Sequence, residues 1–288
     1  MNPRFHEALN KFMEERNPKD IDEMNQLMQE FIILYNSGKI EFEESDLVKA
    51  YDLVDKASKA KSEKTELKYL HQALEVCPYC LEAKLAIISH NSDHLKMIPE
   101  LIEAINLEKE RLMKEGYFKK DNVGHFYMIF ETRPYIRALN MLTFTYTNLG
   151  MINKAIDVAR EILKLNNNDN TGIRYLLMAL YAYKEEKNNL DKLFRKYPED
   201  NLHVFVPYLV YYYKQNDLKH AREYFDKIMK VNPHFIDYFL GELDVDNNFY
   251  YSVGDESEVS TIMMEYEFLF DSVLEIGDFI VSCKEKEA

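Results

Sequence analysis

The sequence predicts an all-α protein in which helix pairs stack into a right-handed solenoid, closed by N- and C-terminal capping helices. Three observations predict it. Apolar residues recur three and four apart through Leu139, Leu142, Tyr146 and Leu149, then through Ile152, Ala155, Ile156, Ala159, Ile162 and Leu163, the spacing of two amphipathic helices. The pattern returns 66 positions later, with Leu139, Leu142, Tyr146, Ala155 and Ala159 answered by Phe205, Tyr208, Tyr212, Ala221 and Phe225. Only eight glycines occur in 288 residues, most of them where such helices would end, and alternating runs that would mark strands are short or absent.

Composition narrows the function. A chain of this length buries a sizeable core, and 47% hydrophobic residues exclude a disordered chain. The formal net charge of −14 speaks against nucleic acid as a partner, because phosphate neutralisation by Lys and Arg dominates that affinity. The start, MNPRFHEALNKFMEERN, lacks the apolar stretch of a signal peptide, and no run approaches the ~20 apolar residues of a membrane span. Cys77, Cys80 and Cys283 fit a reducing compartment without a disulfide framework, so a cytoplasmic location is expected.

Along the chain, residues 1–45 read as an N-terminal helical cap: two short helices interrupted at Asn17-Pro18, the second striped by Met24, Leu27, Phe31 and Leu34. Stacked repeats need such covered ends. Residues 46–120 read as degenerate helical repeats, with Leu53, Val54, Ala57, Leu70, Ala73 and Leu74 as the apolar positions and Pro78 as terminator. A helix through Leu85 and Ile88 follows, then a longer amphipathic segment from Leu101 to Leu112, with Pro99 near its start and Gly116 past its end. Residues 121–235 hold three consecutive units. Pro134 opens the first, where its missing amide costs nothing, and Gly150 supplies the reversal between its helices. The middle unit pairs Ile173–Tyr183 with Leu190–Tyr197, stopped by Pro198. Residues 236–288 read as an acidic, aromatic loop, a helix from Glu256 to Asp271, and a last piece carrying Val273, Leu274, Ile276, Phe279 and Ile280, whose aromatics fold back on the last repeat. The acidic run Asp244 to Glu258 reads as a solvated loop, or as a self-ligand shielding a basic groove.

A large residue, then Leu-Gly/Ala, Tyr, Ala, Phe and a closing Pro over about 34 positions is the template of the tetratricopeptide repeat. Leu139, Leu142-Thr143, Tyr146, Ala155, Ala159 and Asn167 occupy it, as do Phe205, Tyr208-Leu209, Tyr212, Ala221, Phe225 and Pro233, and the chain resembles that family. More narrowly, several phrases resemble bacterial tetratricopeptide proteins of undefined function related to the suppressor-of-tumorigenicity-seven proteins. They are Val123-Gly124-His125-Phe126, Glu131-Thr132-Arg133-Pro134-Tyr135 with Arg137-Ala138, Asp169-Asn170 with Gly172-Ile173-Arg174-Tyr175-Leu176-Leu177, Tyr197-Pro198-Glu199-Asp200, Asn232-Pro233-His234 and Gly254-Asp255-Glu256. The resemblance spans roughly residues 45–285 and implies a helical scaffold without an established catalytic residue. Where relatives carry a closing Asn-Pro this chain has Asn166-Asn167, and Cys283 alone does not match the cysteine-rich zinc segment that some of them append.

In such a stack the first helix of each unit lines a concave groove. Repeat position places Arg137, Asn140, Phe144 and Thr147 on it from one helix, Arg174, Met178 and Tyr181 from the next, and His203, Val210 and Tyr213 from the third. Two guanidiniums among Asn, Met and aromatics suit an anionic peptide segment or a C-terminal carboxylate. The competing expectation is internal ion pairing, with Glu131, Asp169 and Asp200 within reach in sequence. The tyrosine run Tyr208, Tyr211, Tyr212, Tyr213 points around most of a helix, so part of it belongs to the core.

The expected function is therefore non-catalytic capture of a partner protein or peptide in the groove, without a cofactor. Two alternatives stand beside it. Cys77-Pro-Tyr-Cys80 resembles a glutaredoxin motif and, with His90 and His94, offers zinc-type donors. The motif follows a helix rather than a strand, and Pro78 sits at a repeat-closing position, which favours coincidence. The other alternative is a structural homo-oligomer joined through terminal helices. His125 beside Glu131 could be written as an acid–base pair, but no nucleophile, phosphate loop or metal set accompanies it, and packing of His125 and Phe126 with pairing of Glu131 to Arg133 is the expected role.

Overall fold

The computed structural model describes residues 3–243, 251–273 and 275–285. Among the described residues the protein is all-α, with sixteen helices packed in neighbouring pairs. The chain divides into two compact units, residues 1–138 and 139–288. No helix among the described residues is long and apolar enough to cross a membrane.

The first unit holds α1 (Pro3–Arg16), α2 (Ile21–Asn36), α3 (Asp46–Ser58), α4 (Glu63–Val76), α5 (Leu81–Ser89) and α6 (His94–Lys114). Asn17, at a φ of +46°, makes the break between α1 and α2. Phe5 and Phe12 of α1 pack edge-on against Phe31 of α2, with centroids 5.1 and 5.3 Å apart. Leu27 and Leu34 join this cluster, whereas Met24 is 44% exposed and does not, since the stripe drifts off the contact face at its first turn. The pair is tied to the next by Arg4, which donates to Asp52 at 2.7 Å, and by Glu7, which accepts from the amide of Ser45 at 3.1 Å. The α3–α4 pair closes around Ala50, Ala57, Leu70 and Ala73, mostly small side chains that let the two backbones approach. Helix α6 begins at His94, earlier than the apolar stripe suggests, because Asp93 caps it by accepting from the amide of Leu95 at 3.0 Å. Pro99 therefore lies inside the helix rather than at its start.

Helix α7 (Arg133–Asn148) spans the division between the units, and Pro134 lies in its first turn. The second unit continues with α8 (Ile152–Leu165), α9 (Ile173–Tyr183), α10 (Lys187–Lys196), α11 (Leu202–Lys214), α12 (Leu218–Val231) and α13 (Phe235–Phe239). It ends with α14 (Glu256–Glu265), α15 (Glu267–Asp271) and α16 (Ile276–Glu285). One turn recurs between the helices of each pair. Gly150, Glu185 and Asn216 all adopt positive φ, at +67°, +59° and +55°. After each, the next amide reaches back five residues: Met151 to Tyr146 at 2.8 Å, Glu186 to Tyr181 at 2.9 Å and Asp217 to Tyr212 at 2.9 Å. This double reversal satisfies carbonyls that the helix end would otherwise leave open.

Within this unit α9 packs on α8, α10 and α11, and α11 packs on α12. Every residue from Leu202 to Tyr211 of α11 is buried, and so is every residue from Leu176 to Ala182 of α9. A helix apolar on all sides must be covered on all sides. The remaining cover comes from the C-terminal helices: α15 lies against α9 and α11, and α16 lies against α12 and α13. The expected helix from Glu256 to Asp271 is broken at Tyr266 into α14 and α15. The first part of the acidic run from Asp244 to Glu258, residues 244–250, falls outside the described residues, as does Leu274.

Candidate functional site

Of the groove residues expected on α9 and α11, Arg174 and His203 lie near one another. Gly172, at a φ of +71°, precedes α9, and the Asp169 carboxylate accepts from the first amides of that helix, Ile173 at 3.0 Å and Arg174 at 2.9 Å. The same carboxylate takes the Arg174 guanidinium at 2.9 Å. The other end of the guanidinium donates to Glu199 at 2.7 Å and to the Tyr175 hydroxyl at 2.6 Å. Tyr175 in turn donates to Glu199 in a very short bond, and Asn201 donates to that carboxylate at 2.9 Å. The Asp169 side chain is fully buried and that of Arg174 is 14% exposed. Burial pushes the Asp169 carboxyl up against the opposing effect of its hydrogen bonds and of Arg174. Burial, with Glu199 alongside, pushes the Tyr175 phenol up to about 12. Arg174 thus anchors the start of α9 to Asp169 and Glu199.

His203 stacks on Tyr175 with centroids 4.6 Å apart, and burial followed by the nearby Arg174 lowers its imidazole to about 4. It is neutral at neutral pH. Its Nδ1 lies 3.3 Å from the Tyr266 hydroxyl, and its Nε2 lies 3.4 Å from the Tyr251 hydroxyl. Tyr266 donates its single proton to the carbonyls of Tyr175 and His203, at 3.2 and 3.3 Å. Its oxygen must then accept from His203, which assigns the proton to Nδ1 and leaves Nε2 to accept from Tyr251. Farther along the face, the Tyr213 ring meets Phe279 at 5.0 Å and its hydroxyl donates to the Glu275 carbonyl at 3.3 Å. Phe268 packs on Tyr183 at 5.9 Å.

An open groove lined by Met178, Tyr181, His203 and Val210 is therefore not what these helices present: the residues are between 0 and 6% exposed. Met178 and Val210 belong to the core, and the Tyr181 hydroxyl accepts from the Arg160 guanidinium at 2.8 Å. Thr147 is buried as well, its hydroxyl returned to the Thr143 carbonyl at 2.9 Å. Phe144 is 43% exposed on α7, and Asn140 is half-buried. In the first unit the Arg137 side chain, 45% exposed, donates through Nε to Glu82 at 2.8 Å. Of the acids expected as partners Asp169 does hold Arg174, whereas Glu199, next to the expected Asp200, and Glu82, 55 residues from Arg137, were not among them. Arg174 reaches His203 through Tyr175, and Tyr213 meets the C-terminal helices at Phe279.

The motif Cys77-Pro-Tyr-Cys80 links α4 to α5, and both thiols are fully buried. Burial pushes Cys77 up and Cys80 up to about 11, opposite to the lowered thiol that redox exchange requires. His90 turns its ring to Glu66 and Glu63, at 3.3 and 3.6 Å. Among the described residues no group of three or more His, Cys, Asp or Glu is placed to hold a metal ion. Phe126 packs on Phe118 at 4.9 Å and lies 6.5 Å from Tyr135 of α7, whereas His125 is exposed rather than packed. Arg133 donates to the Tyr127 carbonyl at 2.7 Å.

Sequence reasoning did not find Tyr266 or Phe268 as cover for this face, although one signal was present. IRYLLMALYAY and LHVFVPYLVYYY contain almost no polar residues, so neither helix has a side to offer water. Comparison with protein-family models and with curated proteins returned no match.

Proposed function

We propose that this chain is a non-catalytic, cytoplasmic helical-repeat protein of the tetratricopeptide type, and that the face of α9 and α11 receives a helical segment of a partner protein. One observation carries the proposal: that face already holds an amphipathic segment of the chain itself. Tyr266, Phe268 and Phe279 enter from α14–α16 and meet Tyr175, His203, Tyr183 and Tyr213. Aromatic anchors on a helical segment, with one hydroxyl buried among backbone carbonyls, are the grammar of helix-in-groove recognition. A partner segment takes the place of this cover or extends it. Arg137 and Arg174 contribute by holding the helices in register, through Glu82 and through Asp169 with Glu199.

The test is a synthetic peptide of residues 256–285 added to the full chain and to its Tyr266→Ala variant, with binding read by fluorescence anisotropy. Binding to the variant and not to the intact chain supports a segment-receiving face. No binding to either, with the variant still helical by circular dichroism, overturns it. Extract proteins captured by the variant alone would then identify the natural occupant.

A further inference from the structure

On another side of α9 lies a shallow cavity of about 360 Å³, open to solvent, whose lining includes Arg160 and Lys164 of α8 and Lys192 and Lys196 of α10. Its floor is the Tyr181 hydroxyl with buried Leu163, Leu177 and Leu193, and Asn167 and Asn189 complete the rim. The volume lies within the range of small-molecule sites. We propose that this cavity binds a small phosphorylated ligand, with Arg160, Lys164, Lys192 and Lys196 around the phosphate.

The frame is built. At one end Tyr197 donates to the Asn167 carbonyl at 2.7 Å, joining the ends of α8 and α10. At the other, Arg160 donates to Tyr181 at 2.8 Å, and Asn189 donates to Glu186 at 2.5 Å. The acids beside the cations engage them weakly: Glu186 stands 3.7 Å from Arg160, and Glu161 stands 3.7 Å from Lys164. Asp157 also acts on Arg160. Lys192 forms no ion pair or hydrogen bond among the described residues, and Lys196 only overlies the Tyr197 ring at 4.9 Å. Lys164 and Lys196 sit in the last turns of their helices, where a cation also offsets the helix dipole. That role leaves Lys192, a turn earlier, unexplained.

The chemistry selects the ligand. A carboxylate is best held by the planar fork of Arg, and the one Arg here already spends Nε on Tyr181. Three ammonium groups are compact point charges with rotatable donors, suited to a multiply charged phosphate. The size of the ligand follows from the net charge of −14. An extended polyanion meets that field along its length, whereas a small anion at the cavity feels mainly charges within a Debye length, about 10 Å at 0.1 M salt.

The test is titration calorimetry of inorganic pyrophosphate into the full chain, the Lys192→Ala/Lys196→Ala variant and a control, Lys219→Ala/Lys230→Ala, which removes the same charge from α12. Pyrophosphate should bind the wild type, about tenfold or more weaker to the cavity variant and within about twofold to the control. In parallel, pyrophosphate should protect Lys164, Lys192 and Lys196 of the unmutated chain from acetylation relative to Lys219 and Lys230, read by mass spectrometry. Absence of binding to the wild type, equal weakening by both variants, or uniform protection overturns the proposal. Tighter binding of a phosphoserine peptide than of pyrophosphate also overturns it, assigning the cavity to a protein segment.

Discussion

The Tyr266 hydroxyl donates to the main-chain carbonyl of His203 at 3.3 Å. Four residues on from His203 stands Pro207, inside α11, where a proline has no amide to give that carbonyl. A hydroxyl from the C-terminal helices thus supplies the bond that the helix withholds.

This relationship makes the two positions energetically coupled. Tyr266→Phe should cost about 1–2 kcal/mol in urea unfolding, since it strips a donor from buried acceptors. In a Pro207→Ala background the same change should cost about 1 kcal/mol less, because alanine brings back the helical amide donor. Strict additivity of the two substitutions would show that the bond has no energetic weight.

His203 sets a pH dependence. Its imidazole falls from the ordinary 6.5 to about 4 in the folded protein, so the unfolded chain binds the proton more readily. The stability this contributes is complete above pH 6.5 and is lost as the pH falls toward 4, about 3 kcal/mol in all. The charged groups facing the ring are Arg174, Glu199 and Glu265, the last 3.8 Å from Nδ1. Unfolding free energy followed from pH 7.5 to 4.5 should decline more steeply in wild type than in His203→Phe. Parallel curves would contradict the assignment.

Asp169 carries both a helix start and a buried charge. Asp169→Ala removes the acceptor for two α9 amides and the partner of Arg174, and should cost about 3 kcal/mol or more. Asp169→Asn keeps an oxygen and tolerates the positive φ of +48°, so its cost should be roughly half. Equal losses for both variants, measured by thermal melts, would mean that backbone geometry rather than capping sets the effect.

The buried thiols should be inert. Cys77 and Cys80 are fully covered and shifted toward the protonated form, so iodoacetamide at pH 7.5 should leave them unmodified while urea-unfolded chain reacts fully. Rapid native labelling of either, resolved by peptide mass, would revive a redox role for the motif.

The second unit separates what was legible in the sequence from what was not. The helix Ile173–Tyr183 coincides with its apolar run, and the reversal at Gly150 adopts the positive φ that glycine permits. Such features depend on residues within one or two turns, so periodicity and turn chemistry encode them. Asn216 makes the same reversal 66 positions later, but Glu185 makes it with a residue that no turn preference would have chosen, which only the packing of α9 against α10 fixes. The face of α9 and α11 lay further from reach. The sequence placed Arg174, His203 and Tyr213 there and foresaw C-terminal aromatics folding back on the last repeat, but could not say that Tyr266 would meet His203, or that Glu199 would hold Arg174. Those contacts join residues 63 and 25 positions apart. The order of amino acids alone sets the helices, their ends and their apolar sides, because these are local consequences of side-chain spacing and backbone sterics. Which apolar sides meet each other and which meet water is settled only when the chain folds, because burial is a property of the surface that another part of the chain brings to them.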